Sequence, residues 1–404
     1  MYDVVIVGAR PAGASAALLL ARQGRKVLLV DRMEFPSDIM STLYIQPPGV
    51  ALLARWGLLD AIVASGCPAL DTVTYDVAGL RITAPTPTTP YSAFAYAPRR
   101  RVLDGLIVRA AVEAGAQFRD RTNVRALLRD GDRVTGVEVT GPDGPESIPA
   151  RLVIGADGQN SRVASLVDAP FRSADRLASC VYYTCWQGLE TGFGYHERPD
   201  SWIARIPTHD GVTMVATYFP QDRFTQIRQE PLAAHLSTVE RNAPDLHEML
   251  AGAERVEGLI GTGNQQNFFR HADGPGWALV GDAAHHCDSI TARGITNALT
   301  EVQLLADALY GQDLEDTAGV DTCLAGYSKE MYDTLRAPYQ ATLDLARLRI
   351  TDSRVALLRV VERSPELTGR YFAMVAGLID KTEFFTPDVV AQLPTSSEWT
   401  NQLP

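Results

Sequence analysis

Short runs of glycine, small residues and single carboxylates stand along the chain where a bound dinucleotide needs them. The first is Gly8-Ala9-Arg10-Pro11-Ala12-Gly13. Gly8 suits a tight turn, small residues let the backbone approach a pyrophosphate, and a helix starting there offers N–H groups to phosphate oxygens. Asp31 follows about 20 residues on, where a carboxylate accepts hydrogen bonds from an adenosine ribose and repels a 2′-phosphate, so NADP is not the expected resident. Arg10 stands in place of the middle glycine; with its side chain pointing outward it adds positive charge near the pyrophosphate. Alone, this turn also fits any βαβ unit with a glycine-rich loop.

The second run is Gly155-Ala156-Asp157-Gly158-Gln159-Asn160-Ser161-Arg162. An apolar strand breaks at its glycines and presents Asp157, Ser161 and Arg162 beyond its carboxyl edge, where ligands bind in such sheets. The competing reading of Asp157 and Arg162 is an ordinary turn with a surface ion pair. The third run is Gly281-Asp282-Ala283-Ala284-His285-His286, followed by Thr291-Ala292-Arg293-Gly294-Ile295-Thr296-Asn297. Here a strand runs into a carboxylate, and a helix with Leu299, Val302, Leu305 and Leu309 on one face begins after a loop. Aimed at a flavin, that helix N-terminus stabilises the anion that reduced flavin develops at N1 and C2=O. A histidine at 285 or 286 acts there as general acid or base, or bonds the loop structurally.

These runs need a sheet to hold them. Residues 3–31 read as strand, glycine turn, helix, strand, so the expected fold is α/β (α+β overall), a Rossmann-like dinucleotide domain. Two stretches interrupt it. Residues 71–97 carry short β-rich pieces broken by prolines, and residues 173–267 hold strands at Cys180 to Gln187, Ser201 to Ile206 and Val212 to Phe219. The expected division is 1–70, 98–172 and 268–324 for the dinucleotide domain, with 71–97 and 173–267 as an antiparallel β-sheet domain. From residue 325 to 404 the apolar pattern through Leu343, Leu345, Leu348 and Ile350, and again from Phe372 to Ile379, predicts a helical C-terminal region.

Composition limits the function. A chain of 404 residues with 46 % hydrophobic and 21 % charged residues buries a sizeable core without disulfides or metals. The net charge of -11 argues against nucleic acid, which is bound by clustered Lys and Arg. Five cysteines form no metal-ligand spacing and read as free thiols, with Cys287 near the third run. The chain starts directly on a strand and has no apolar run of bilayer length, so a cytoplasmic monomer or homodimer without a transmembrane segment is expected.

In order and spacing the three runs resemble the flavoprotein aromatic hydroxylases, whose fold is that of p-hydroxybenzoate hydroxylase. The stretches STLYIQPPGVALLARWGLLD, YAPRRRVLD and EFFTP look like a bacterial branch also similar to flavin halogenases and geranylgeranyl reductases. The resemblance implies FAD, held by Gly8, Arg10, Pro11, Ala12 and Gly13 at the pyrophosphate, by Asp31 and Arg32 at the adenosine ribose and by Arg100 near the ribityl chain. It implies Asp157 between FAD and incoming NAD(P)H, Gly281 and Asp282 at the ribityl hydroxyls, and Gly294, Ile295 and Asn297 at the pyrimidine edge. The family usually has a proline in the loop over the flavin's reactive edge, and this chain has Asp288-Ser289.

The implied activity is hydroxylation of an apolar or aromatic small molecule, in bacterial secondary metabolism, through a flavin C4a-hydroperoxide. With no second glycine fingerprint, NAD(P)H is expected to reduce FAD transiently. Rival readings are a reductase or dehydrogenase of the geranylgeranyl-reductase type, a halogenase and a non-redox FAD-bound cyclase. Halogenases carry Trp-x-Trp-x-Ile-Pro and a lysine; residues 202–207 keep the first Trp and Ile-Pro only, and no lysine stands in a serving motif. Tyr182, Tyr183, Trp186, Trp202, Tyr218 and Phe219 lie on the inserted strands, and alternation sends half of them toward the flavin. Trp202, Arg205 and Tyr218 are the candidate substrate contacts, with His209 beside them, and sheet core or surface solvation is the alternative for each.

Overall fold

Val4-Val5-Ile6-Val7 has no polar side, so as a strand it must be covered on both faces. The computed structural model describes residues 1–38 and 41–394. It opens with β1 (Tyr2–Val7), α1 (Pro11–Arg22) and β2 (Val27–Val30). A hairpin follows, β3 (Thr72–Val77) and β4 (Leu80–Pro85), then α2 (Arg100–Glu113), β5 (Gln117–Arg119) and β6 (Gly144–Gly155). Next come β7 (Ser179–Gln187), β8 (Phe193–Arg198), β9 (Ser201–Pro207) and β10 (Val212–Pro220), and the helix pair α3 (Pro231–Asn242) and α4 (Pro244–Leu250). Short strands β11 (Asn267–Arg270), β12 (Trp277–Leu279) and β13 (His285–His286) lead into α5 (Gly294–Ala308). The last long helices are α6 (Thr317–Ala346), α7 (Asp352–Val361) and α8 (Pro365–Ala376).

The sheet that carries the glycine turns runs β5-β2-β1-β6-β12, all parallel. Val4 pairs with both Val27 and Leu152, so the all-apolar β1 sits in its middle. The alanine- and leucine-rich α1 covers one face and is wedged against α2 and α5, which explains why it is buried nearly all round. Parallel register brings the carboxyl ends of β1 and β6 side by side, and this is where the first two glycine runs meet.

A second sheet runs β7-β10-β9-β8-β3-β4, antiparallel except for the β8–β3 pair. The 72–85 hairpin and the strands after residue 179 are thus one sheet. Side-chain alternation splits it cleanly. Tyr183, Tyr195, Trp202 and Tyr218 join one apolar layer with Tyr44, Ile290 and the C-terminal helices. Tyr182, Trp186 and Phe219 point to the other face, where Trp186 packs with residues of α3 and α4.

The C-terminal helical region starts earlier than the apolar pattern predicts. Asp316 caps α6 by accepting the Gly319 N–H, so the helix begins at Thr317 rather than near 325. Leu348 and Ile350 fall outside helix, because Leu348 takes φ +54° and Thr351 then caps α7. From α7, Arg354 reaches the buried Glu197 carboxylate at 2.6 Å and fastens this region to the second sheet. No helix among the described residues is long and apolar enough to cross a membrane.

Candidate active site

At the first turn, Gly8 has φ +104°, and a Cβ on it would fall 2.4 Å from the Ala156 carbonyl oxygen; a Cβ on Gly13 would fall 1.7 Å from that of Gly8. Both positions therefore require glycine. Arg10 has φ −82° and ψ −172°, extended backbone that any residue adopts. Its side chain leaves the turn and donates to Ser37 Oγ at 3.3 Å, so the middle glycine is dispensable here. No side chain caps α1, and Pro11 sets its first turn, which leaves the N–H groups of Ala12 and Gly13 directed out of the helix end. Asp31 accepts the Ala9 N–H at 2.7 Å on one oxygen and the Met33 N–H at 2.8 Å on the other, keeping a lone pair on each. Arg100 is bidentate to Asp104 at 3.0 Å, and burial followed by the nearby Arg100 charge lowers the pKa of Arg10. Arg32 is exposed at the rim.

Asp157 closes the turn after β6. It accepts the Ser161 hydroxyl at 2.5 Å and the N–H groups of Arg162 and Val163 at 2.6 and 3.2 Å. The Arg162 guanidinium goes instead to the Arg125 carbonyl at 2.9 Å, so the alternative of a surface Asp157–Arg162 ion pair is not what forms.

The third run meets the first directly. Gly281 has φ +62°, and a Cβ there would lie 2.8 Å from that of Ala12. Asp282 stands exposed at the end of this strand. Beyond the loop, α5 begins without a side-chain cap, with Gly294 exposed and Ile295 half-buried, while Asn297 is buried one turn in. Gln46 pins this helix end, donating its N–H to Thr296 Oγ1 and its side-chain amide to the Thr291 carbonyl, both at 3.0 Å. A cradle with no room for Cβ atoms, two uncapped helix ends and an exposed carboxylate between them fit FAD.

The residue that sequence reasoning missed is Glu301. It is 0 % exposed, accepts the Gly281 N–H at 2.6 Å and faces His285 Nδ1 at 3.3 Å. Burial pushes its carboxyl well above the usual range and pushes His285 down to about 3, so this dry site disfavours charge on both groups. A charged residue on the same stripe of α5 as Ala298, Val302 and Leu305 was the signal available for it.

The expected acid–base histidines are separated. Consecutive residues of a strand point to opposite sides. His285 stacks on Phe269 at 4.2 Å in the core, and His286 lies over Phe268 at 6.0 Å with Nδ1 on the Gln266 carbonyl.

At Asp288-Ser289, a polar net holds the loop. The Asp288 carboxylate accepts the Ser179 hydroxyl at 2.7 Å and the Ile290 N–H at 3.1 Å, and its own N–H donates to Asn267 Oδ1 at 2.7 Å. Ser289 donates its hydroxyl to Gln265 Oε1 at 2.5 Å. Burial raises Asp288 to about 6, and burial with the Asp282 and Asp288 charges raises the Cys287 thiol to about 12. Above this loop stands an aromatic wall, Tyr44 on Phe193 at 4.2 Å, Phe193 against Tyr195 at 5.0 Å and Tyr195 against Trp202 at 4.9 Å. Tyr218, the partner of Trp202 in register, donates from this wall to the Ser289 carbonyl at 3.1 Å.

Arg205 does not belong to the wall. It is three positions from Trp202 on one strand, and the odd spacing turns it to the opposite face, against His196. His209 is structural as well. It accepts the Arg99 N–H at Nδ1, 3.2 Å, so Nε2 carries its hydrogen to Ser65 Oγ, 2.8 Å.

A family profile described as an FAD binding domain matches residues 1–340. A digeranylgeranylglycerophospholipid reductase of Methanosarcina acetivorans is 26 % identical over 327 residues, 77 % of this chain and 75 % of that one. The 12-dehydrotetracycline 5-monooxygenase/anhydrotetracycline 6-monooxygenase of Streptomyces rimosus is 29 % identical over 299 residues, 70 % of this chain and 58 % of that one. Among solved structures, a flavin-dependent brominase superposes with TM-score 0.79 at 19 % identity, covering 99 % of each chain, a likeness of fold.

Proposed function

This chain belongs to the FAD-binding family and is an FAD-dependent oxidoreductase, and on that premise we propose that it is an NAD(P)H-reduced monooxygenase hydroxylating an apolar or aromatic small molecule. The observation that carries the proposal is Tyr218, which joins the aromatic wall to the loop at the head of α5. Substrate against that wall lies at the same loop that receives the flavin's pyrimidine end. The tetracycline monooxygenase of Streptomyces rimosus supports this reading and its setting in secondary metabolism.

Bound FAD supplies hydride acceptance and oxygen activation. The protein's own residues do the rest. Gly8, Ala12 and Gly13 seat the pyrophosphate, Asp31 the ribose and Asp282 the ribityl hydroxyls. The open N–H groups of Gly294 and Ile295 stabilise negative charge on the pyrimidine edge. Tyr44, Phe193, Tyr195 and Trp202 orient the substrate and exclude water. One parallel sheet with one glycine turn provides for a single resident dinucleotide, so the nicotinamide visits. The test is turnover under labelled dioxygen. Substrate-stimulated NAD(P)H oxidation with one labelled oxygen in the product supports hydroxylation, and unlabelled product rejects it.

The archaeal reductase relatives favour a second reading, hydride transfer between FAD and an alkene, which turnover under strict anaerobiosis would reveal. Halogenation is disfavoured by the lysines. The three in the chain are Lys26 over the Tyr2 ring, Lys329 paired with Asp333, and the exposed Lys381, and none stands in a Trp-x-Trp-x-Ile-Pro-type motif.

A further inference from the structure

The aromatic wall is closed around Tyr195 and open at it. Tyr195 stands mid-strand on β8, which has a neighbouring strand on each side, and register puts Tyr75 and Ala204 directly beside it. The residues around it on this face are buried, with Phe193 3 %, Trp202 4 %, Ala204 4 % and Tyr75 5 % exposed. Tyr195 itself is only half-buried. Ring surface left open in the middle of a covered layer marks a gap between the sheet and the segments packed over it. Ala204 and its partner Ala216 put only methyl groups next to the Tyr195 ring, so nothing bulky crowds that side of the gap.

Two phenols of the wall are already engaged. Tyr218 donates to the Ser289 carbonyl, and Tyr75 donates to the buried Glu197 carboxylate, which Arg354 also holds. Among the described residues, the hydroxyls of Tyr195 and Tyr44 have no hydrogen-bond partner. The Tyr44 ring lies on Phe193 at 4.2 Å, and the Tyr44 and Tyr218 phenols are close enough to act on that of Tyr195, so its hydroxyl and the Ser289 loop border the same gap. Burial, then those two phenols, pushes Tyr195 well above its ordinary range, so it stays protonated and has a hydrogen to give. The indole N–H of Trp202 is buried without an acceptor as well. The wall therefore has hydrogens to spare, and dry surroundings disfavour an anion as their acceptor. A neutral oxygen that carries no hydrogen of its own fits this balance.

On the reading that substrate lies against this wall, we propose that Tyr195 selects it: the substrate is a neutral aromatic molecule bearing a carbonyl, and the Tyr195 hydroxyl donates to that carbonyl oxygen. A hydrocarbon of the same shape fills the gap and leaves the hydroxyl unpaired, which makes it the poorer ligand. The bond fixes the orientation of the substrate over the Ser289 loop, so Tyr195 positions and discriminates and takes no part in the redox step.

The test titrates oxidised, FAD-loaded protein with 2-acetylnaphthalene and with 2-isopropenylnaphthalene, which differ by exchange of the carbonyl oxygen for a methylene, and follows the flavin absorbance. The parent binds the ketone roughly 3- to 10-fold more tightly, and Tyr195→Phe loses this preference while keeping the parent's affinity for the alkene. Equal binding of the two probes by the parent, or a preference that survives in Tyr195→Phe, overturns the Tyr195 assignment and leaves the hydroxylase reading standing. Failure of both probes to bind rejects the wall as the substrate seat, and that reading falls with it. Tighter binding of 2-naphthol than of the ketone overturns the carbonyl in favour of a phenol. Should Tyr195→Phe not fold, crystals of the parent with 2-acetylnaphthalene decide. A carbonyl oxygen within hydrogen-bond distance of Tyr195 Oη supports the proposal, and a ketone bound with its oxygen elsewhere overturns it.

Discussion

The phenol of Tyr218 donates to the backbone carbonyl of Ser289 across 3.1 Å and sits 3.0 Å from the Ser289 hydroxyl, joining the aromatic wall to the loop that heads α5. Tyr218→Phe keeps the ring and deletes the donor, leaving a buried carbonyl short of a partner at a cost of about 1–3 kcal/mol. FAD is expected to stay bound, because the contacts proposed for Gly8, Asp31 and Asp282 lie elsewhere. The loop loses its tie to the wall, so product formed per NAD(P)H falls and hydrogen peroxide rises. A peroxide assay alongside product quantification checks this, and unchanged coupling would remove Tyr218 from the positioning of the loop.

Glu301 holds the Gly281–Asp282 turn through one backbone bond in a dry site. Glu301→Gln keeps a carbonyl for the Gly281 N–H and a polar group beside His285 Nδ1, so FAD affinity stays near that of the parent. Glu301→Leu leaves the Gly281 N–H without an acceptor, and a penalty of about 1–3 kcal/mol weakens FAD binding roughly 5- to 150-fold. Flavin fluorescence titration of the apoprotein reads the difference. Equal affinity in the two variants would mean that the turn holds itself.

Much of this arrangement was legible because it rests on short-range rules. Gly8 and Gly13 announce a turn because no other residue fits, and the uninterrupted Val4–Val7 run announces a strand covered on both faces. Arg10 looked like a defect because sequence gives the residue and not its φ; at −82° it needs no glycine. Alternation correctly divided the six aromatics of the inserted strands between two faces, yet Arg205 was grouped with Trp202 although their odd spacing turns them apart. The histidines follow the same rule, since His285 and His286 are adjacent on a strand and cannot share a side. Glu301 and the Gln265–Asp288–Ser289–Tyr218 net were out of reach, because their partners come from segments distant in sequence whose meeting depends on the assembled fold. The start of α6 was missed because Asp316, its cap, precedes the apolar periodicity.

Cys287 stands beside the flavin loop, and burial with the Asp282 and Asp288 charges pushes its thiol up to about 12. Attack on a flavin requires the thiolate, which is about one part in 10⁵ at pH 7 for such a thiol. The flavin is therefore expected to be held without a covalent bond. Acid precipitation leaves the yellow colour in the supernatant and a colourless pellet, and Cys287→Ser retains full flavin content. A yellow pellet from the parent protein contradicts this.

Asp288 makes the loop sensitive to pH, and the sign follows from its environment. Burial raises its carboxyl from 3.8 to about 6 against the opposing hydrogen bonds from Ser179 and Ile290 and the nearby His286. The folded protein therefore binds a proton between those values that the unfolded chain releases. The associated stability is fully present below pH 3.8 and is lost as pH rises through about 6. A shift of about two units corresponds to roughly 3 kcal/mol at most. Asp288→Asn keeps an acceptor oxygen and never ionises, so it escapes this loss. Its Tm relative to the parent should therefore improve steadily from pH 5 to pH 8, with most of the change complete by about pH 7. Thermal unfolding across that range provides the measurement, and a Tm difference that does not vary with pH would show that Asp288 has the same proton affinity in the folded and unfolded chain.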